Sequence, residues 1–91
     1  MAQVVVTMKI MPDDPEVDLS AVEKEAREAV SAFEGEVGKV EIEPIAFGLK
    51  ALNIIFVMEE SRGSTDELED QVRNINGVNS VEITDVRRAI G

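Results

Sequence analysis

The chain contains no cysteine, no histidine, no tryptophan and no tyrosine. Without cysteine there is no disulfide framework, no thiol nucleophile and no thiolate metal site. With histidine missing as well, a zinc or transition-metal centre would rest on carboxylates alone, a donor set those metals disfavour. Aromatics make up 3% of the chain, all of them phenylalanine, which leaves little for base-stacking platforms. Basic residues are scarce too: 9 Lys and Arg stand against 19 Asp and Glu, for a net charge of −10. Such a chain repels phosphate backbones, so direct nucleic-acid binding is disfavoured. Long apolar runs are absent. The longest, residues 54–58, is far short of the ~20 residues a membrane helix needs. Residues 1–6 show no cationic region leading into a long apolar one, so no signal peptide is read there. The expectation is a soluble cytoplasmic protein with no membrane partner.

What is present suffices for one domain, residues 1–91, with 44% hydrophobic residues. A domain of this size buries roughly 60–65% of the surface its unfolded chain exposes, so most apolar positions are needed for the core. Residues 3–11 alternate, with Val4, Val6, Met8 and Ile10 on one face, and predict a strand that stops at Pro12 and Pro15. Residues 18–33 change to a period of three and four through Leu19, Val22, Ala26, Ala29 or Val30, and Phe33, the stripe of an amphipathic helix. Asp18 caps it, or Ser20 with Glu23 does so slightly later, and Gly35 is its expected stop.

Residues 37–47 return to strand character, interrupted by Pro44, which implies an edge strand or a bulge. Gly48 marks a hairpin corner. Residues 51–59 are apolar on both faces over most of their length, the mark of a central strand. Ser64-Thr65-Asp66-Glu67 reads as a capping box opening a helix over 64–76, with Leu68, Val72 and Ile75 inward. Residues 78–86 form a last strand with Val81 and Ile83 inward.

The order is therefore βαββαβ. An α+β, ferredoxin-like fold follows, with a four-stranded antiparallel sheet and two helices on one face. Right-handed crossovers give the spatial order 4-1-3-2. The two most apolar strands are then central and the Pro44 strand is an edge, as their compositions require.

No catalytic constellation is visible. Glu23, Glu25 and Glu28, and Glu67, Glu69 and Asp70, fall on solvated helix faces. Nothing marks a carboxylate in an apolar pocket, which acid–base catalysis would need. Asp13, Asp14 and Glu16 lack the spacing of a calcium loop. The glycines match no phosphate-binding spacing. The expectation is a protein that is not an enzyme and has no metal and no cofactor.

Three surface features remain. Val5, Ile55 and Val57 should share the uncovered sheet face, as a contact patch or as a small area shielded by long neighbours such as Lys9. Phe47 beside Gly48 stands at the hairpin corner, either tucked under its own hairpin or offered to a partner. Arg87-Arg88, the only adjacent basic pair in the sequence, closes an acidic chain.

Three segments carry a resemblance. Glu43-Pro44-Ile45-Ala46-Phe47-Gly48-Leu49, Ala51-Leu52-Asn53, and Val81-Glu82-Ile83-Thr84-Asp85-Val86-Arg87-Arg88 resemble the archaeal elongation factor 1-beta family, as does the early Met8-Lys9-Ile10-Met11-Pro12. The whole chain is covered. The chain is also similar to the catalytic domain of the eukaryotic exchange factor. The resemblance implies a ferredoxin-like guanine-nucleotide exchange factor that promotes GDP release from elongation factor 1-alpha. It implies a partner-binding set of Phe47, Gly48, Leu49 and Lys50 at the hairpin and Asp85, Arg87 and Arg88 at the chain end. Phe47 matches the aromatic that contacts the second domain of the GTPase. Arg88 falls where the eukaryotic family has a lysine reaching the magnesium and phosphate region. Here it is an arginine, and Ala89-Ile90-Gly91 follow it, so Arg87 is an alternative. The implied sheet order puts Phe47 and Arg88 about 25–30 Å apart. A monomer is expected.

Other ferredoxin-like readings exist. An ACT-type domain binding an amino acid normally has a glycine-bearing loop after the first strand; here that loop is Pro12-Asp13-Asp14-Pro15. An RNA-binding sheet needs open-face aromatics and a basic surface. A dimeric scaffold would join through the open sheet.

Overall fold

Alternating apolar residues produce four strands, and two three-to-four-residue stripes produce two helices. A computed structural model describes residues 2–89. The order is β1 (Gln3–Pro12), α1 (Leu19–Ala32), β2 (Glu36–Ala46), β3 (Leu49–Glu59), a short 3-10 turn (Glu60–Arg62), α2 (Asp66–Arg73) and β4 (Val78–Ala89). The sheet order is β2-β3-β1-β4, antiparallel throughout. This is the 4-1-3-2 ferredoxin-like arrangement. The apolar strands β1 and β3 are central, and β2 with Pro44 is an edge.

One sheet face and the helices enclose the core. Val6, Met8 and Ile10 from β1 meet Leu52, Ile54, Phe56 and Met58 from β3. Val22, Ala26 and Val30 of α1 and Leu68 and Val72 of α2 close it from above. Burying these side chains removes apolar surface from water, the main favourable term in folding.

The helix ends differ in detail from the sequence expectation. Asp18 caps α1, its side chain accepting from the backbone N–H of Ser20 at 3.0 Å and of Ala21 at 3.4 Å, so the Ser20–Glu23 box is not used. At the other end the left-handed residue is Glu34, with φ 68°. The N–H of Gly35 donates to Val30 O at 2.8 Å and that of Glu34 to Ser31 O at 3.0 Å. This is a Schellman closure. Gly35 serves by its size: a Cβ there would lie 2.9 Å from Val30 Cγ1 and 3.2 Å from Phe56 Cδ2.

Helix α2 is shorter than the predicted 64–76. The Thr65 side chain makes no cap bond to the backbone; its hydroxyl donates to Glu69 Oε2 at 2.7 Å instead. Ser64 Oγ accepts from Asp66 N–H at 3.1 Å, tightening the entry turn. The helix ends at Asn74, whose backbone and side-chain amides both donate to Asp70 O, and the N–H of Ile75 turns to Val72 O at 3.1 Å instead of continuing the helical ladder. Ile75 then packs on the core from the following turn.

Strand β4 is longer than the predicted 78–86. It stays paired to β1 as far as Ala89 opposite Gln3, so Arg87 and Arg88 lie in the sheet and not in a tail. A register shift interrupts it. Ile83 pairs with Met8 and Asp85 with Thr7, leaving Thr84 as the extra residue of a bulge.

Candidate functional site

The β2–β3 hairpin carries the first four candidate residues. Pro44 pairs with Lys50 and Ala46 with Leu49, with a register shift at Ile45. The two-residue loop is Phe47-Gly48, with φ 53° and 81°. Positive φ at both central positions is the signature of a type I′ turn, which suits the strand twist and favours Asn-Gly. Phenylalanine in the left-handed region is strained, by about 1–2 kcal/mol.

That strained residue is also 96% exposed. Phe47 is therefore not tucked beneath its hairpin. Ile42 and Ile45 on the same arm are exposed as well, so three of the four large exposed hydrophobic residues among those described lie on this hairpin; the fourth is Val86. Gly48 sits against the loop after β1: a Cβ there would lie 3.6 Å from Pro15 Cβ. Pro15 and Lys50 help line a shallow groove of about 550 Å³ between that loop and the arm. Leu49 is half-buried. On the open side, Asn53 Nδ2 donates to Glu43 Oε1 at 3.0 Å and Lys9 Nζ lies 3.8 Å from the same oxygen, bracing the arm.

The other three candidates stand at the far end of the sheet. The bulge at Thr84 sets their faces. Ile83 points to the core with Met8, whereas Asp85 and Arg87, opposite Thr7 and Val5, point to the open face. Val86 and Arg88, opposite Val6 and Val4, point to the helix side. Arg87 Nε donates to Asp85 Oδ2 at 2.9 Å. Arg88 donates to Glu60 Oε2 from Nη2 at 2.6 Å and from Nε at 2.9 Å. The hairpin set and the chain-end set thus occupy opposite ends. The strand joining them runs from Leu49 to Met58, which is level with Arg88 through Val4. That span is about 30 Å at ~3.3 Å per residue, within a longest dimension of 42 Å.

The open face is not the exposed apolar patch that was one of the two expectations. Val5, Ile55 and Val57 are each half-buried. Lys9, Lys39 and Arg87 lie over that face, paired with Glu43, Glu41 and Asp85. Sequence reasoning also missed Glu60 and Arg62, which fall between the predicted strand 51–59 and the helix predicted from residue 64. Arg62 stacks 4.3 Å above the Phe33 ring and donates from Nε to Phe33 O at 3.0 Å, clamping the turn to the end of α1. No spacing signal could have revealed either contact, because both partners are about thirty residues away.

Among the described residues no charged side chain is buried, and no three carboxylates gather as a metal site. No described helix is long and apolar enough to cross a membrane. The arrangement separates an exposed aromatic turn at one end of the sheet from a pair of arginines, each paired with a carboxylate, at the other.

The comparisons with known proteins identify the family. Residues 5–89 match the EF-1 guanine nucleotide exchange domain. Elongation factor 1-beta of Methanobrevibacter smithii is 51% identical over 88 residues, covering 97% of this chain and 98% of that protein. The elongation factor 1-beta proteins of Methanothermobacter thermautotrophicus and Staphylothermus marinus are 47% and 46% identical, with the same coverage. The chain belongs to the EF-1 guanine nucleotide exchange domain family, whose role is nucleotide exchange in translation elongation.

Solved structures show the same fold at low identity. The C-terminal domain of the MgtC protein of Mycobacterium tuberculosis superposes with a TM-score of 0.65 at 13% identity, covering 97% of this chain and 88% of that one. The ACT domain of a Chlorobium tepidum GTP pyrophosphokinase gives 0.61 at 15%, covering 91% and 88%. These likenesses concern fold alone. Family membership displaces the ACT-type reading of function.

Proposed function

We propose that this protein releases GDP from elongation factor 1-alpha by bridging two surfaces of that GTPase. The Phe47 end anchors on one domain, with Gly48, Leu49 and Lys50 shaping the tip. The Arg88 end reaches the magnesium and phosphate region of the nucleotide site, with Asp85 and Arg87 paired behind it on the open face. The observation that carries this reading is the separation of an exposed aromatic and a cationic strand end across one sheet. One pocket could not hold both, whereas two domains of a GTPase could.

The free energy for exchange comes from binding the nucleotide-free partner more tightly than the nucleotide-bound one. Arg88 supplies a cation that competes with Mg²⁺ for anionic groups, and the protein makes and breaks no bond. It needs no cofactor, touches no nucleic acid directly, and acts as a monomer in the cytoplasm. The excess of acid, −10 overall, steers it to the basic surface expected of a tRNA-carrying GTPase.

The test is stimulated release of fluorescent GDP from the cognate GTPase. Wild type should accelerate release, and replacing Arg87 and Arg88 together by alanine should remove most of the acceleration. Undiminished release by the double variant would reject the role of the strand end.

A further inference from the structure

The side chain of Arg88 is not free in solution. Its guanidinium donates from both Nε and Nη2 to one oxygen of Glu60, at 2.9 and 2.6 Å. An arginine fork has five N–H donors on two usable edges. Glu60 occupies the side edge, formed by Nε and Nη2. The end edge, carrying Nη1, makes no hydrogen bond to any described residue. The guanidinium can therefore accept a second anion without leaving the first.

Glu60 is itself held in place. Its backbone N–H donates to Ala2 O at 2.9 Å, and its carbonyl accepts from Gly63 N–H at 3.1 Å. The turn it opens, Glu60–Arg62, is tied to α1 by the Arg62 contacts with Phe33. The backbone of Glu60 is thus anchored on a clamped turn, and its carboxylate faces the long side chain of Arg88 near the end of a strand. Arg87 lies on the opposite face and pairs with Asp85 instead.

We infer that Glu60 is a positioning residue, holding Arg88 by its Nε edge so that its Nη1 edge is presented to the anionic groups around the nucleotide of the partner GTPase. This inference rests on the role proposed above for Arg88. An exposed ion pair adds little to stability. Its value lies in ordering the side chain in advance, which spares entropy that would otherwise be lost when Arg88 engages the nucleotide site of the already docked partner.

The experiment measures fluorescent-GDP release from the cognate GTPase against factor concentration, for wild type, E60A, E60Q, R88A and the double variant E60A/R88A. E60A should lower the maximal release rate roughly 2- to 10-fold, with the half-saturating concentration within about twofold. E60Q retains an acceptor oxygen and should lose less. In the R88A background, E60A should have no further effect. In the free protein, the Arg88 Nε–H resonance should be protected from solvent exchange in wild type and lose that protection in E60A.

Release by R88A as fast as by wild type would overturn both the reading of Arg88 and the role of Glu60. Slow release by R88A would leave that reading standing. In that case, undiminished release by E60A, a further loss in the double variant, an E60Q no better than E60A, or an Arg88 resonance indifferent to Glu60 would overturn the role of Glu60 alone.

Discussion

Phe47 and Arg88 stand at opposite ends of one sheet, the first in the turn beyond the pair Ala46–Leu49, the second level with Met58 through Val4. Central hydrogen-bonded strands keep that separation constant. The two ends should therefore fail in different ways when altered. F47A should raise the half-saturating concentration for stimulated GDP release, while changing the rate at saturation little. R88A should do the reverse and lower the saturating rate by at least about 10-fold. Titration of release rate against factor concentration separates the two effects.

The two arginines should not be equivalent. Arg87 is paired with Asp85 on the open face, and only Arg88 faces the helix side. R87A should stay within about twofold of wild type in the same assay. A loss in R87A equal to that in R88A would mean that the strand phase set by the Thr84 bulge does not matter to function.

Phe47 carries backbone strain at φ 53°. Asn-Gly is the favoured pair for this turn. F47N should therefore stabilise the fold by about 1 kcal/mol, a rise in Tm of roughly 4–8 °C for a domain of this size. The same variant should weaken exchange as F47A does. Thermal melts beside the release assay check both, and a fall in Tm would refute the strain argument.

Gly35 leaves no room for a methyl group between Val30 and Phe56. G35A should cost about 1–3 kcal/mol, since both neighbours belong to the packed core. Urea denaturation measures it.

Arg62 joins the turn after β3 to the end of α1 through a hydrogen bond and a ring contact. R62A should destabilise by about 1–2 kcal/mol. R62K should recover little, because lysine has no planar fork to stack on Phe33 while donating to its carbonyl. Denaturation curves of the two variants provide the comparison.

Much of this molecule could be read along the chain. The order of elements, the central position of β1 and β3 and the edge position of the Pro44 strand all follow from short-range periodicity and the missing proline N–H. The hairpin corner at Phe47-Gly48 was legible because glycine punctuates a turn. Local signals misled where competing local bonds decided the outcome. Gly35 looked like the left-handed stop, yet Glu34 takes that conformation and glycine is needed one residue later for space. Ser64 to Glu67 looked like a capping box, yet Thr65 bonds a side chain further along. Asn74 then ends α2 before the apolar stripe is exhausted.

Composition alone determined that this is a small acidic chain without thiols or imidazoles, and pattern alone determined a four-stranded sheet under two helices. Only the tertiary structure decided how the arginines are presented. Simple alternation from Val81 and Ile83 would have turned Arg87 inward and Arg88 out. The extra residue at Thr84 shifts that phase and sends Arg88 to the helix side, across the start of β1, where Glu60 waits on its clamped turn. A period-2 pattern cannot register a bulge, and a contact between residues 28 apart in the chain leaves no mark on local spacing.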